Sequence, residues 1–204
     1  SFEDVILNRF KPFIGKNFIE ICQLLGFKPY QSKNKYADIA ALIASDNKSK
    51  RLEKAEEFIK SGITMKTVRL RPKGTPKESM SFKNIDYFEV FENDEWTNSE
   101  TYELFTTRFL FVVFKPVKNS EIQIINNSKK RLETEQSYIL DRAFFWTMPP
   151  EDLEVAKEYW NDIRQNVLDN NINLSSFWNI AKHRKFHVRP KATKTIQKAP
   201  NPNG

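Results

Sequence analysis

The apolar positions change period along the chain, and the changes mark out its elements. Phe2, Val5, Ile6 and Phe10 recur at helical spacing and predict a helix over Ser1–Phe13, with Glu3 and Asp4 in its first turn and Pro12 at its end. Phe18, Ile21, Cys22 and Leu25 predict a second helix over Gly15–Leu25, with Gly26 as its stop, and Ile39, Ala40 and Ile43 a third over Tyr36–Ala44. Ser45–Lys54 is polar and reads as an exposed loop running into a short helical turn. From Ile63 the period becomes two: Ile63, Met65 and Thr67 point one way, and Thr64, Lys66, Val68 and Leu70 the other. Arg71–Pro76 is a turn, Glu78–Tyr87 is expected to return as an antiparallel strand, and the acidic stretch Asn93–Glu103 is expected to be a loop. Arg108–Phe114 is almost continuously apolar, which predicts a strand covered on both faces. Tyr138–Thr147 predicts another strand. Leu153, Ala156, Trp160, Ile163 and Val167 then set the rhythm of a long helix, with Glu151 and Asp152 at its start. A further helical turn is expected over Leu174–Ile180, and Phe186–Arg189 is expected to be extended and closed by Pro190.

That order, helices followed by a few strands and a long helix, predicts an α/β (α+β) fold with one central mixed sheet flanked by helices. The 204 residues suffice for one sizeable core, and 39% hydrophobic and 13% aromatic content excludes a disordered chain. The expected organisation is a domain over residues 1–195 and a flexible polar tail over 196–204. No apolar run approaches a membrane span and no signal-peptide pattern is present, so no membrane partner is expected. One cysteine, Cys22, excludes an internal disulfide framework and fits a cytoplasmic location; it reads as core filling rather than as a nucleophile. The first residue is Ser1 rather than methionine, which suggests a piece of a longer protein.

Charge adds a direction. The net charge is +7, no acidic residue follows Asp169, and seven basic residues do: Lys182, Arg184, Lys185, Arg189, Lys191, Lys194 and Lys198. A surplus confined to one segment points to a polyanionic partner such as nucleic acid, against the simpler reading of a solvated basic tail. His183 and His187 stand four apart but lack a third ligand, so a metal site there is discounted.

The strand at Ile63 carries the remaining chemistry. A lysine within so apolar a strand is unusual, although an edge strand can use one to discourage aggregation. Thr64 lies two residues before Lys66, and Glu57 seven before Thr64. With an acid at position 64 this would be the carboxylate, spacer, carboxylate-x-lysine array of a metal-dependent nuclease.

Ile63-Thr64-Met65-Lys66-Thr67, followed by Lys77-Glu78-Ser79-Met80-Ser81-Phe82, resembles the central region of the MutH mismatch-repair nucleases and of the related type II restriction endonucleases that cut at GATC. The strand Arg108–Phe114, the run Trp146-Thr147-Met148-Pro149 before an acidic helix, and above all His187-Val188-Arg189-Pro190-Lys191-Ala192 are similar to the same family, in the family's order. The Lys77–Phe82 segment is closest to the C-terminal half of two-domain GATC restriction enzymes, a half whose nuclease site is degenerate.

The resemblance implies a restriction-endonuclease-like (MutH-like) fold and, for the full-length enzyme, Mg²⁺ held by carboxylates beside a lysine. The family's first acidic ligand falls on Glu57, where aspartate is usual; its second falls on Thr64; its lysine is Lys66; and a supporting helix glutamate falls on Glu20, whose plainer role would be an i,i+4 partner of Lys16. A further basic residue expected before the apolar strand has no match, Arg108 being the nearest candidate. A threonine hydroxyl is a poor Mg²⁺ ligand. The catalytic site Glu20, Glu57, Thr64 and Lys66 is therefore expected to be inactive and to bind no metal; if one bound, Glu57 and Glu20 would hold it. At the recognition end the resemblance is intact. Arg189 and Lys191 match the family's base-reading pair, Pro190 presets the turn between them, and His187, Arg184 and Lys185 suit phosphate contacts. The resemblance thus implies GATC-specific binding of double-stranded DNA by a non-catalytic, allosteric effector domain, partnered by an N-terminal catalytic domain of the same enzyme. The alternatives are an active Mg²⁺-dependent endonuclease with an altered site, and a structural or dimerising half without DNA contact.

Overall fold

The computed structural model describes residues 1–51, 55–117, 138–173, 175–181 and 183–188. They fall into two compact units, one over Ser1–Ser81 and Arg108–Trp146, the other over Phe82–Thr107 and from Thr147 onward. The first unit is a three-stranded mixed sheet flanked by helices, within the α/β (α+β) class the order of elements predicts.

Helix α1 (Phe2–Phe10) opens with a capping box in which Ser1 and Asp4 satisfy each other's backbone donors, and it buries Ile6 and Phe10. Pro12 lies in a 3₁₀ turn over Lys11–Phe13 that continues from it. The second helix starts later than Gly15, because Gly15 takes a left-handed φ of +81°. The strand segment beyond it holds the backbone there: Gly15 N donates to Leu140 O (2.8 Å) and Leu140 N to Lys16 O (2.9 Å). Asn17 then caps α2 (Phe18–Leu24), which Gly26 ends at φ +79°. Helix α3 (Lys35–Ala44) is buried along most of its length. Helix α4 (Glu56–Ser61) ends on Gly62 in the left-handed region, and strand β1 (Ile63–Arg69) leaves from that turn.

Strand β2 (Arg108–Pro116) lies between β1, to which it is parallel, and β3 (Tyr138–Trp146), to which it is antiparallel. Leu110, Val112 and Phe114 of β2 and Leu140 of β3 are buried on one face against Ile6, Phe18, Ile21, Cys22 and Ile39, with Ile63 and Met65 beside them. Among the described residues β1 and β3 lie at the edges, which leaves the most continuously apolar strand in the middle.

The chain differs from expectation in three places. Glu78–Tyr87 does not return as a strand: Leu70 bridges Pro76 and Lys77 N bonds Arg69 O, after which the pairing stops. The alternation there is too weak to hold a strand, and Asp86 caps helix α5 (Tyr87–Glu92) instead. The acidic stretch Asn93–Glu103 is not a loop throughout, because Ser99 caps α6 (Glu100–Thr106), which buries Phe105. Its acids face outward and hid the helix. The predicted helical turn at Leu174–Ile180 is absent from the described residues there, which form turns. The long helix α7 (Pro150–Leu168) forms as expected and buries Ala156, Trp160, Ile163 and Val167. Among the described residues, no helix is long and apolar enough to cross a membrane.

Candidate functional site

Gly62 sets the direction of β1, and the pleat does the rest. Ile63 and Met65 turn to the core, which puts Thr64 and Lys66 together on the opposite face, as an acid-x-lysine pair requires. In the parallel register Thr64 lies opposite Phe109 and Lys66 opposite Phe111. These phenylalanines belong to an aromatic cluster: their rings stack at 5.8 Å, and Trp146 and Phe144 of β3 pack onto Phe111 at 5.6 Å each. The surroundings of Lys66 are therefore apolar. Burial lowers the pKa of its ammonium, which donates to Ser81 O at 2.7 Å.

The sign of that shift makes a prediction. Folding lowers the pKa of Lys66 below its ordinary 10.5, so the unfolded chain binds the proton more tightly. The penalty is fully present below the folded-state pKa and is relieved as pH rises to the unfolded value. The stability of wild type relative to Lys66→Met is expected to climb with pH through the window that ends near 10.5, read from urea midpoints at a series of pH values.

The two carboxylates are committed elsewhere. Glu57 Oε1 accepts from Arg9 Nη1 at 3.0 Å in a half-buried pair, and the same guanidinium nitrogen donates to Ala44 O. Glu20 is not the partner of Lys16. Its Oε2 accepts from Asn17 N at 2.8 Å while its own N donates to Asn17 Oδ1 at 3.0 Å, closing the capping box of α2. The Asn17-x-x-Glu20 spacing carried that signal in the sequence. Arg108 is gripped by both carboxylate oxygens of Glu3, at 2.8 and 2.9 Å, and the hydrogen bond holds the Glu3 carboxyl below its usual range.

These residues do not fit a divalent cation. Position 64 offers a neutral hydroxyl, Glu57 is paired with Arg9, and Glu20 faces its own helix start. Among the described residues no group of three or more His, Cys, Asp or Glu side chains is placed to hold a metal.

Of the residues expected to contact DNA, Arg189, Pro190 and Lys191 lie outside the described residues, as does the 196–204 tail. Arg184 is exposed. Lys185 is exposed too, but its ammonium pairs with Asp152 at the start of α7, so a phosphate contact there requires exchange of that carboxylate. His187 is half-buried, and its Nδ1 has no hydrogen-bond partner among the described residues. His183 stacks flat on Trp178, with ring centroids 3.7 Å apart. Val188 N bonds Trp178 O at 2.8 Å, which anchors the chain just before Arg189 without making it a strand.

No family model matches the chain. It is, however, similar to part of a type II restriction enzyme. That relative is Sau3AI of Staphylococcus aureus, to which the chain is 31% identical over 173 residues, 79% of its own length. The chain spans about a third of the relative (32%).

Proposed function

We propose that this chain is a duplex-DNA-binding domain of a type II restriction endonuclease, with a restriction-endonuclease-like fold of the MutH kind, that recognises GATC without cutting it. The observation that carries the reading is the state of the acid-x-lysine pair. Lys66 is present on the correct face, threonine stands at 64, and Glu57 and Glu20 are occupied, in a chain similar to part of a restriction enzyme. In this reading the scaffold of the nuclease chemistry is kept and its metal-binding charge is lost. The GATC specificity and the place in the C-terminal half follow from the resemblance at Lys77–Phe82 and His187–Ala192.

In this reading Arg189 donates two hydrogen bonds to O6 and N7 of guanine, Pro190 fixes the turn, and Lys191 leaves it toward the same groove. Arg184 meets a phosphate and sets the register. The partner is an N-terminal catalytic domain of the same cytoplasmic enzyme, where Mg²⁺ would be bound. Occupation of a GATC site here favours the active state of that domain, provided the two states differ in affinity for DNA.

Two measurements test this. Fluorescence anisotropy on a GATC duplex and a scrambled duplex, across a salt series without Mg²⁺, is expected to show tighter binding to GATC. A supercoiled GATC plasmid with Mg²⁺ is expected to stay intact with wild type and with Thr64→Glu, because restoring one carboxylate leaves Glu57 tied to Arg9. Mg²⁺-dependent nicking that disappears with Lys66→Ala would establish the active-nuclease alternative instead. Failure to bind any duplex at low salt would leave only a structural or dimerising role.

A further inference from the structure

Between Ser1 and Asp169 the charges balance, yet they are not mixed. Residues 86–103 contain seven acidic residues and no basic one. Residues 27–51 and 69–78 together contain ten basic residues against three acidic ones. Both basic stretches belong to the first unit, and the fold brings parts of them onto one row of rings.

The row starts at Lys50, whose Nζ sits over Tyr30 at 4.5 Å and Phe27 at 5.5 Å. Tyr30 meets Phe18 at 5.5 Å, and Lys35 lies over Phe18 at 4.9 Å and over Tyr36 at 5.5 Å. Arg69 lies between Tyr36 (5.7 Å) and Tyr138 (5.9 Å), and Lys77 sits over Tyr138 at 5.6 Å. Ring faces attract cations and hold them in place without neutralising them. Arg69 has an acidic partner, Glu78 at 2.5 Å, whereas Lys50 and Lys77 pair with no acid among the described residues.

A rigid loop extends the row. Arg69 and Lys77 are joined across it by Lys77 N to Arg69 O at 2.7 Å. Inside, Arg71 N bonds Thr75 O at 2.7 Å and Gly74 N bonds Arg71 O at 2.8 Å. Gly74 supplies the left-handed φ of +81° that closes the turn, and Pro72 and Pro76 stiffen it. Arg71 and Lys73 stand exposed on this loop, also without acidic partners among the described residues. A solvated basic face needs neither seated cations nor a braced loop. A surface that lays several cations along a polyanion with little loss of side-chain entropy needs both.

We propose that Lys50, Arg69, Lys77, Arg71 and Lys73 form a phosphate-gripping surface for duplex DNA on the first unit, distinct in sequence from the base-reading segment at Arg189–Lys191; Lys35, buried in the core, is not part of it. This rests on the reading of the chain as a DNA-binding domain. The surface contacts backbone and not bases, so it contributes affinity without sequence preference.

The test uses the full chain and the triple variant Arg71→Ala, Lys73→Ala, Lys77→Ala, whose sites are exposed, with Lys50→Ala as a second variant. Anisotropy on GATC and scrambled duplexes is expected to show the triple variant weakened by the same factor on both, about 10–100-fold at low salt. The slope of log K against log salt should be shallower by roughly 2–3. Lys77→Arg should bind as wild type. Wild-type affinity and slope in the triple variant, with GATC preference retained, would overturn this inference and leave the proposed function standing. A wild-type chain that binds neither duplex would overturn both. Displacement of duplex by polyglutamate at equal charge would make the surface a dock for acidic polypeptide and overturn the inference as well.

Discussion

Phe114→Ala is expected to destabilise the first unit by about 3–5 kcal/mol, enough to leave much of the chain unfolded at 37 °C. Phe114 is fully buried on the central strand, and its ring lies 4.8 Å from that of Tyr36. It sits where the β2–β3 register shifts, between Val113 and Phe114, so the sheet cannot simply collapse around the missing ring. Phe114→Leu keeps most of the volume and should lose only about 1–2 kcal/mol. Urea unfolding checks both. A loss near 1 kcal/mol for the alanine variant would mean that the core relaxes around the gap and that Phe114 is not the keystone its burial implies. Tyr36 also carries Arg69 on its ring, so the same variant should weaken duplex binding at temperatures where it remains folded.

Arg189→Ala is expected to remove the preference for GATC. A bidentate arginine–guanine contact is worth about 1–3 kcal/mol of discrimination, or roughly 5–150-fold in the ratio of GATC to scrambled affinity. The variant should still bind both duplexes, with a salt slope lowered by at most about 1, because the phosphate contacts elsewhere remain. Arg184→Ala should do the reverse, weakening both duplexes equally and leaving their ratio intact. A wild-type ratio near one, unchanged in Arg189→Ala, would mean that this segment grips phosphates only. The two arginines stand five positions apart, so charge alone cannot tell them apart; only the ratio can.

Much of the fold was legible because its signals are local. The apolar run at Arg108–Phe114 demanded a strand covered on both sides, and β2 is central. The rhythm from Leu153 to Val167 demanded a helix with one buried face, and α7 has it. Where local signals conflicted, the reading failed. The acids of residues 93–103 disguised the capped helix α6 as loop, although Ser99 was in place to start it, and the strand expected over Glu78–Tyr87 passed over the Asp86 cap of α5. For Glu20 the plainer alternative was an i,i+4 pair with Lys16, while the bond that forms closes the cap with Asn17.

By itself, the sequence determined the class of the fold, a threonine rather than an acid at position 64, the pairing of Thr64 and Lys66 on one face, and the basic end of the chain. All of these depend on residue identity and on the period of the backbone, which act over a few positions. Tertiary structure alone decided where the surviving charges are spent. Glu57 meets Arg9 across 48 positions, Glu3 meets Arg108 across 105, and Lys50, Lys35, Arg69 and Lys77 come to lie on one row of rings. A charged group takes whichever partner the packing of the core brings within reach, and that packing is set by Phe18 and Tyr36 of the helices meeting Phe114 of the sheet rather than by spacing along the chain.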